Sequence, residues 1–342
     1  MALRLLEVVV PATGLEQIPS LLQDTRAVPV WTSAVEAGTG VARILVDAQD
    51  AEAISDLLTR HFGSADRFRV VLLPVEATLP KIKRPPPPPA PEPGGRAGRV
   101  GPKRISREEL YEDIAQASQL TPVYVVMVSL STVVAAVGLI RGDVAIIIGA
   151  MVIAPLLGPN VALSLASTLG DPALAWRSLR AIAAGVATAA TLSFLLGLAL
   201  RVDPATPELA ARTAPGLGDV ILALASGAAG SLAFTSGVPA VVVGVMVAVA
   251  LLPPLVVAGL LAGSGHMGLA GGALTLALTN VTCINLAAVA TFLVQRVGPR
   301  TWWEANRARR ASIVAVATWV AMLAVLLALI WLGQVSTTVP AS

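Results

Sequence analysis

Asn160 stands directly after Pro159 in an apolar stretch, Gly142–Thr168 (GDVAIIIGAMVIAPLLGPNVALSLAST), that also holds Gly149, Pro155 and Gly158. Each proline removes a backbone donor and collides with the carbonyl one turn earlier. In lipid a stranded carbonyl has no water to turn to, so other protein groups or a cavity must satisfy it. Carbonyls and amides freed at such a break, with half-helix dipoles behind them, can hold an ion or polar solute without a buried side-chain charge. A side-chain amide beside them completes the set, which makes Asn160 the foremost candidate. Asn280 and Asn285, in residues 275–285 (TLALTNVTCIN), are further amides in an apolar run. Thr275, Thr279 and Thr282 share that run, and interhelical hydrogen bonding is the plainer role for all five. Ser129, Ser131 and Thr132 are expected to bond back to their own helix.

Catalytic chemistry finds no footing. HExxH, GxSxG and P-loop patterns are absent, and His61 and His266 are the only imidazoles. The expectation is a protein that is not an enzyme, with no metal site and no cofactor. His61 reads as an ordinary helix-end residue. The lone Cys283 excludes a disulfide framework or thiolate cluster and reads as a small apolar filler. No acid or base lies central in an apolar run; Asp143 and Asp219, at the ends of runs, are the nearest candidates for a proton relay.

The elements that position these residues are membrane spans. With 55% hydrophobic and 13% charged residues in 342 and a mean hydropathy of +0.77, the chain reads as a polytopic membrane protein. Spans of roughly 20 apolar residues are predicted at 121–140, 143–168, 178–200, 216–235, 238–263, 271–295 and 312–333. Sliding the sequence by roughly 95 positions pairs Ser131 with Ser226, Gly142 with Gly237, Gly149 with Gly244, Met151 with Met246, Leu156-Leu157 with Leu251-Leu252 and Pro159 with Pro254. The second stretch again carries central prolines, Pro253 and Pro254. Each copy, 121–200 and 216–295, holds three spans, so the second enters from the opposite side: an inverted repeat with proline- or glycine-broken helices at matching places, the pattern that points to a transporter's midplane site. On this reading Gly149, Pro155, Gly158, Pro159 and Asn160 form one half of a substrate or ion pathway and Gly244, Pro253 and Pro254 the other, lined by Asn280 and Asn285.

The first 80 residues read as a separate soluble α+β domain. Strand-like runs at 3–10, 28–36, 41–47 and 67–76 alternate with helical spacing at 14–25 and 51–62, and the Ala37–Gly40 turn makes 28–36 and 41–47 a hairpin. The order βαββαβ is that of a ferredoxin-like domain, shared by ACT-type regulatory domains. Residues 81–105 (KIKRPPPPPAPEPGGRAGRVGPKRI) form a linker of polyproline and basic residues suited to anionic headgroups. Ser106 and Glu109 make a capping box at the start of an amphipathic juxtamembrane helix, 106–120. The formal charge of +3 sits beside the spans, so topology explains it and nucleic acid is not an expected partner. Arg177, Arg180 and the Arg296–Arg310 cluster are expected to lie on the cytoplasmic side of the cell (inner) membrane and with them the N-terminus, with Trp176, Trp302, Trp303 and Trp331 at span ends. No cleavable signal peptide is expected from Met1–Pro11.

Taken together, the small domain ending in VEATLP, RISREEL before the first span, IIIGAMVIAPLLGPN, the later LLPP and the TN–IN helix resemble the bacterial and archaeal membrane family known as domain of unknown function 389. The resemblance covers nearly the whole chain, with GAMVIAPLLGPN its most specific part and the long polyproline linker a departure. It implies a shared fold and supplies no substrate. Function therefore rests on the residues: a transporter or channel for a small solute or ion, with a cytoplasmic regulatory or assembly domain. The competing expectation is a membrane-anchored sensor or scaffold whose N-terminal domain binds a ligand or partner. The lipid bilayer is the expected surrounding and a homo-oligomer the expected assembly.

Overall fold

The computed structural model describes residues 3–23, 25, 28–35, 38–76, 78, 105–236, 240–298 and 302–338. The polyproline stretch of the expected linker, up to residue 104, lies outside the described residues, as does Gly237. The chain divides into two units, Met1–Leu110 and Tyr111–Ser342.

In the first unit β1 (Leu3–Pro11) leads through a 3-10 turn (Ala12–Gly14) to α1 (Gln17–Leu21), then β2 (Val28–Val35), β3 (Thr39–Asp47), α2 (Ala48–Phe62) and β4 (Arg69–Val75). The sheet order is β2-β3-β1-β4 and every neighbouring pair is antiparallel. Each helix-bearing connection therefore skips one strand. Strict alternation along β1 sends Leu6, Val8 and Val10 to one face, where they meet Ala42, Ile44 and Val46 of β3 and Ile54, Leu58 and Phe62 of α2. The helix expected over 14–25 shrinks to Gln17–Leu21: a 3-10 turn occupies its start, and Leu15, Ile18 and Leu22 reach the same core from this shorter element. His61, in the last turn of α2, bonds Gln17 Oε1 at 3.0 Å. Helix α3 (Arg107–Ala117) begins with half of the expected capping box. The Glu109 N–H donates to Ser106 Oγ at 3.2 Å, but the Glu109 carboxylate turns away to accept from Arg4, whose Nε lies 3.0 Å from Oε2. A buried arginine needs that partner more than the helix start needs the second bond.

The second unit is helical: α4 (Pro122–Arg141), α5 (Val144–Ile153), α6 (Leu157–Leu169), α7 (Pro172–Ala199), the short α8 (Pro207–Ala210), α9 (Leu217–Thr235), α10 (Ala240–Gly263), α11 (Met267–Val294) and α12 (Trp302–Thr338). Among the described residues five helices are long and apolar enough to cross a membrane, and the bent pair α5–α6, angled by 52°, makes a sixth if taken as one span. This is a membrane protein by the length and composition of its helices. Thr121, Asp143 and Asp171 cap α4, α5 and α7 with side-chain oxygens, two of them directly before a proline at the first helical position. Asp143, a relay candidate in the sequence, is thus occupied as a cap, accepting from the Ala145 and Ile146 N–H groups at 2.9 and 3.2 Å.

Helix α7 runs against α10, and α11 runs against α6 as well as α9 and α10. The α7–α10 contact is backbone-close. A Cβ on Gly197 would stand 2.3 Å from the Leu260 carbonyl oxygen, so a side chain there would push the two helices apart. Helix α11 is well enclosed, with 61% of its most apolar stretch buried, whereas in α12 the figure is 11% and most of that stretch faces outward, as in a lipid-facing helix.

One expectation fails here. The sequence reading breaks both proline-bearing stretches, but only the first is broken. Helix α10 continues through Pro253 and Pro254. Neither proline can donate to the carbonyl four residues back, Val249 or Ala250, yet residues 251–261 are buried all round, so packing holds the helix on course.

Candidate functional site

The break between α5 and α6 follows from Pro155. The residue before a proline is pushed out of the helical region, and Ala154 is extended at φ −70°, ψ 118°. Helix α6 restarts at Leu157, which makes Pro159 its third residue, where a backbone donor has no partner within the helix anyway. Pro159 is thus an N-terminal proline and no breaker. Gly158 sits where a Cβ would fall 2.3 Å from the Ala117 carbonyl oxygen at the end of α3, a place only hydrogen fits. Gly149 has nothing within 4 Å of where a Cβ would point and takes no part in a tight contact.

Four residues past the break, Asn160 is 3% exposed and its Nδ2 donates to Leu156 O at 2.8 Å. Asn285 on α11, fully buried, donates from Nδ2 to Asn160 Oδ1 at 3.1 Å and to Val281 O at 2.8 Å. Ser164, one turn beyond Asn160 on α6, donates to Asn285 Oδ1 at 2.9 Å. The two amides and the hydroxyl therefore satisfy one another in a closed knot that ties α6 to α11. Each such bond in a membrane bundle is worth about 0.6 kcal/mol. Ser164 is the member the sequence reading missed; its spacing of one helical turn from Asn160 was the available signal.

The remaining hydroxyls divide against expectation. Thr275, Thr279 and Thr282, read as interhelical, each donate to a carbonyl four residues back in α11. Ser129 and Thr132 back-bond within α4 as expected, but Ser131 reaches across to the Ala150 carbonyl of α5. A buried hydroxyl takes whichever carbonyl it meets; of these six only Ser131 meets one on a neighbouring helix, as Ser312 of α12 does at the Ser167 and Thr168 carbonyls of α6.

Asn280 does not join the knot. It lies with Pro254 and Leu276 on a separate cavity of about 260 Å³ whose other walls are Asp219, Leu222 and Ala223 of α9 and Glu208, Ala211 and Arg212 at α8. Arg212 is ion-paired to Glu208 at 2.8 Å. Asp219 Oδ2 accepts the Gly216 N–H at 2.8 Å. The walls thus carry two carboxylates and one guanidinium, an excess of one negative charge, together with an amide. Oxygens and an amide gathered in a recess of this kind can hold a small cation or amine. Nothing in the spacing of Glu208 and Arg212 along the sequence says that their loop folds back over the helices.

The ten candidate residues therefore separate. Asn160 and Asn285 meet in the knot, with Pro155, Gly158 and Pro159 at the adjoining break. Pro254 and Asn280 line the cavity. Pro253 is buried in α10 beside Pro254, Gly149 stands apart, and Gly244 belongs to the first half of α10. At the α6–α7 corner Tyr111 of α3 donates to Asp171 Oδ2 at 2.7 Å, and its phenol is held above the usual tyrosine range, first by burial and then by that bond.

The sequence profile of the family described as Domain of unknown function (DUF389) matches residues 151–286, which take in the break, the knot and the whole cavity wall. An uncharacterized protein of Methanocaldococcus jannaschii is 36% identical over 302 residues, covering 88% of this chain and 91% of the relative. No solved structure matches the chain. With a relative of that identity aligned over nearly its whole length, and with the break and the amide knot inside the matched stretch, the chain belongs to the family of domain of unknown function DUF389.

Proposed function

We propose that this membrane protein is a carrier for a small cationic or polar solute, with its binding chamber at the cavity lined by Asp219, Glu208, Arg212, Pro254 and Asn280. The observation that carries the reading is the chamber itself: about 260 Å³, net acidic, with two residues singled out from the sequence, Pro254 and Asn280, on its wall. The Asn160–Ser164–Asn285 knot is closed and internally satisfied, so passage between α6 and α11 requires a rearrangement, which is how a carrier behaves and a standing pore does not.

Several finer features belong to this reading. The packing of α7 on α10 and of α11 on α6, third helix of each copy on the middle helix of the other, is what a pseudo-twofold between inverted copies produces. A count of seven spans, with α10 as one of them, and the arginine-rich loops support an N-terminus on the cytoplasmic side. The strand order and directions of the first unit match a ferredoxin-like domain in a regulatory or assembly role.

Flux tests the reading. In proteoliposomes with a panel of monovalent cations and small amines, Asp219→Asn and Asn280→Leu each lower uptake about tenfold, the equivalent of one lost polar contact of about 1.4 kcal/mol. Uptake unchanged by both substitutions removes the chamber from the pathway. A panel with no uptake at all favours the second reading, a membrane-anchored sensor or scaffold, for which the closed knot is the supporting observation.

A further inference from the structure

The sheet of the first unit has two apolar faces and only one of them is covered by α1 and α2. On the other, Leu5 of β1 stands opposite Leu45 of β3 and Leu73 of β4, and Val9 opposite Val41. Val71 and Leu73 are 38% and 41% exposed, and Trp31, on the edge strand β2 opposite Arg43, is 67% exposed. Near the middle of this face Arg43 Nε donates to Glu7 Oε2 at 2.9 Å, while Arg69, opposite Val9, and Asp47, opposite Leu3, stand towards its two ends.

We infer that this face is the contact between two copies of the chain. The reason lies in its self-complementarity. A twofold axis through the centre of the face sets Glu7 of one copy against Arg43 of the second and Arg43 of the first against Glu7, so the pair becomes a quartet of alternating sign with leucine and valine on both sides. An anionic lipid surface finds as many acids as bases across this face, Glu7 and Asp47 against Arg43 and Arg69, and gains no net attraction, and an added peptide strand takes the edge of a sheet rather than its face. Four strands about 4.8 Å apart and about seven residues long give a face of about 400 Å² per copy, half of the about 800 Å² per partner of a standard stable interface. The contact is therefore weak by itself and forms between copies that the bilayer already confines to one plane, where effective concentration is high. It stands whether or not the chamber moves a solute.

The test uses the full-length chain in proteoliposomes with Cys283→Ala, which leaves no other thiol. A cysteine placed at Leu5 is joined to its counterpart by a short bis-maleimide, whereas one at Arg60, on the exposed side of α2, is not. Glu7→Arg or Arg43→Glu, each of which brings four like charges together, lowers the Leu5→Cys cross-link at least about fivefold, and the double exchange restores it. Restoration also shows that the single variants lost the contact and not the fold. The inference is overturned if Leu5→Cys reacts with a monofunctional maleimide yet yields only monomer, if it is shielded in a monomeric chain, or if Arg60→Cys cross-links equally well.

Discussion

The two stretches that align with each other, Gly142–Thr168 and Gly237–Gly263, differ most at the positions that looked most alike. Both carry prolines, but the proline that breaks the first stretch, Pro155, aligns with Ala250, while the shared pair Pro159 and Pro254 breaks neither helix. Gly158, pressed against the Ala117 carbonyl, aligns with Pro253. Asn160 aligns with Leu255 and Asn285 with Ala190, so the amide knot has no counterpart in the other half. What persists between the stretches is the small and apolar frame that lets helices approach; what diverges is polarity. The first stretch ends in a closed hydrogen-bonded contact, and the second contributes Pro254 to an open chamber. A duplicated frame can thus serve two tasks, because helix packing depends on residue size at a few positions whereas a polar site depends on the identity of one or two side chains.

The largest test of this difference is Gly158→Val. Its Cβ meets the Ala117 carbonyl at 2.3 Å, and backbone cannot yield as a side chain tip can. A loss of about 3 kcal/mol or outright failure to give monodisperse protein in detergent is expected, while Pro253→Val at the aligned position stays folded. Next are the prolines themselves. Pro253→Ala returns a donor to an uninterrupted helix and raises thermal stability by up to about 3 kcal/mol. Pro155→Ala, where the chain is already extended, changes it by less than about 1 kcal/mol. Equal effects at the two sites would erase the distinction between a broken and a continuous segment.

The knot sharpens the contrast further. Asn285→Ala strands Asn160 Oδ1, while the Ser164 hydroxyl keeps its bond to the Asn160 carbonyl at 3.2 Å, with an expected loss of about 1–2 kcal/mol. Combined with Asn160→Ala it costs about 0.6 kcal/mol less than the sum. Strict additivity in a thermal-melt cycle would mean that the two amides do not act as one unit. The smallest effect concerns the corners. Asp171 caps α7 through the Ala173 and Leu174 N–H groups, while His266, at the aligned position before α11, makes no side-chain cap. Asp171→Ala lowers stability by about 1 kcal/mol and His266→Asp raises it by about 0.5–1 kcal/mol, measured by the same melts; the reverse pattern would show the corners to be held by something other than their caps.

Much of this was legible in the residues. The Leu- and Val-rich run 3–10, stopped by Pro11, marked β1 as a strand, but with one charge on each face, Arg4 on one and Glu7 on the other, alternation left open which face became the core. The Gly38 turn predicted the pairing of β2 with β3. Pro155 marked the break, since the restriction on Ala154 is local. Where the prediction failed, the cause was not local: a proline in α10 leaves donors missing, and whether the helix bends then depends on what is packed around residues 251–261.

The sequence by itself determined a membrane chain with a small α+β unit ahead of it, an aligned pair of proline-bearing stretches, and a short set of amides as the polar chemistry available at depth. Only the tertiary structure decided which amides meet. Asn280 and Asn285 stand five residues apart on α11, about 140° around the helix at 100° per residue. Their spacing therefore sends them to different neighbours without saying which. Asn285 faces Asn160 and Ser164 and closes a knot; Asn280 faces Pro254 and opens on a chamber. The direction a helix face takes is fixed by its packing against other helices, and that information is spread over the whole bundle rather than written in any one stretch.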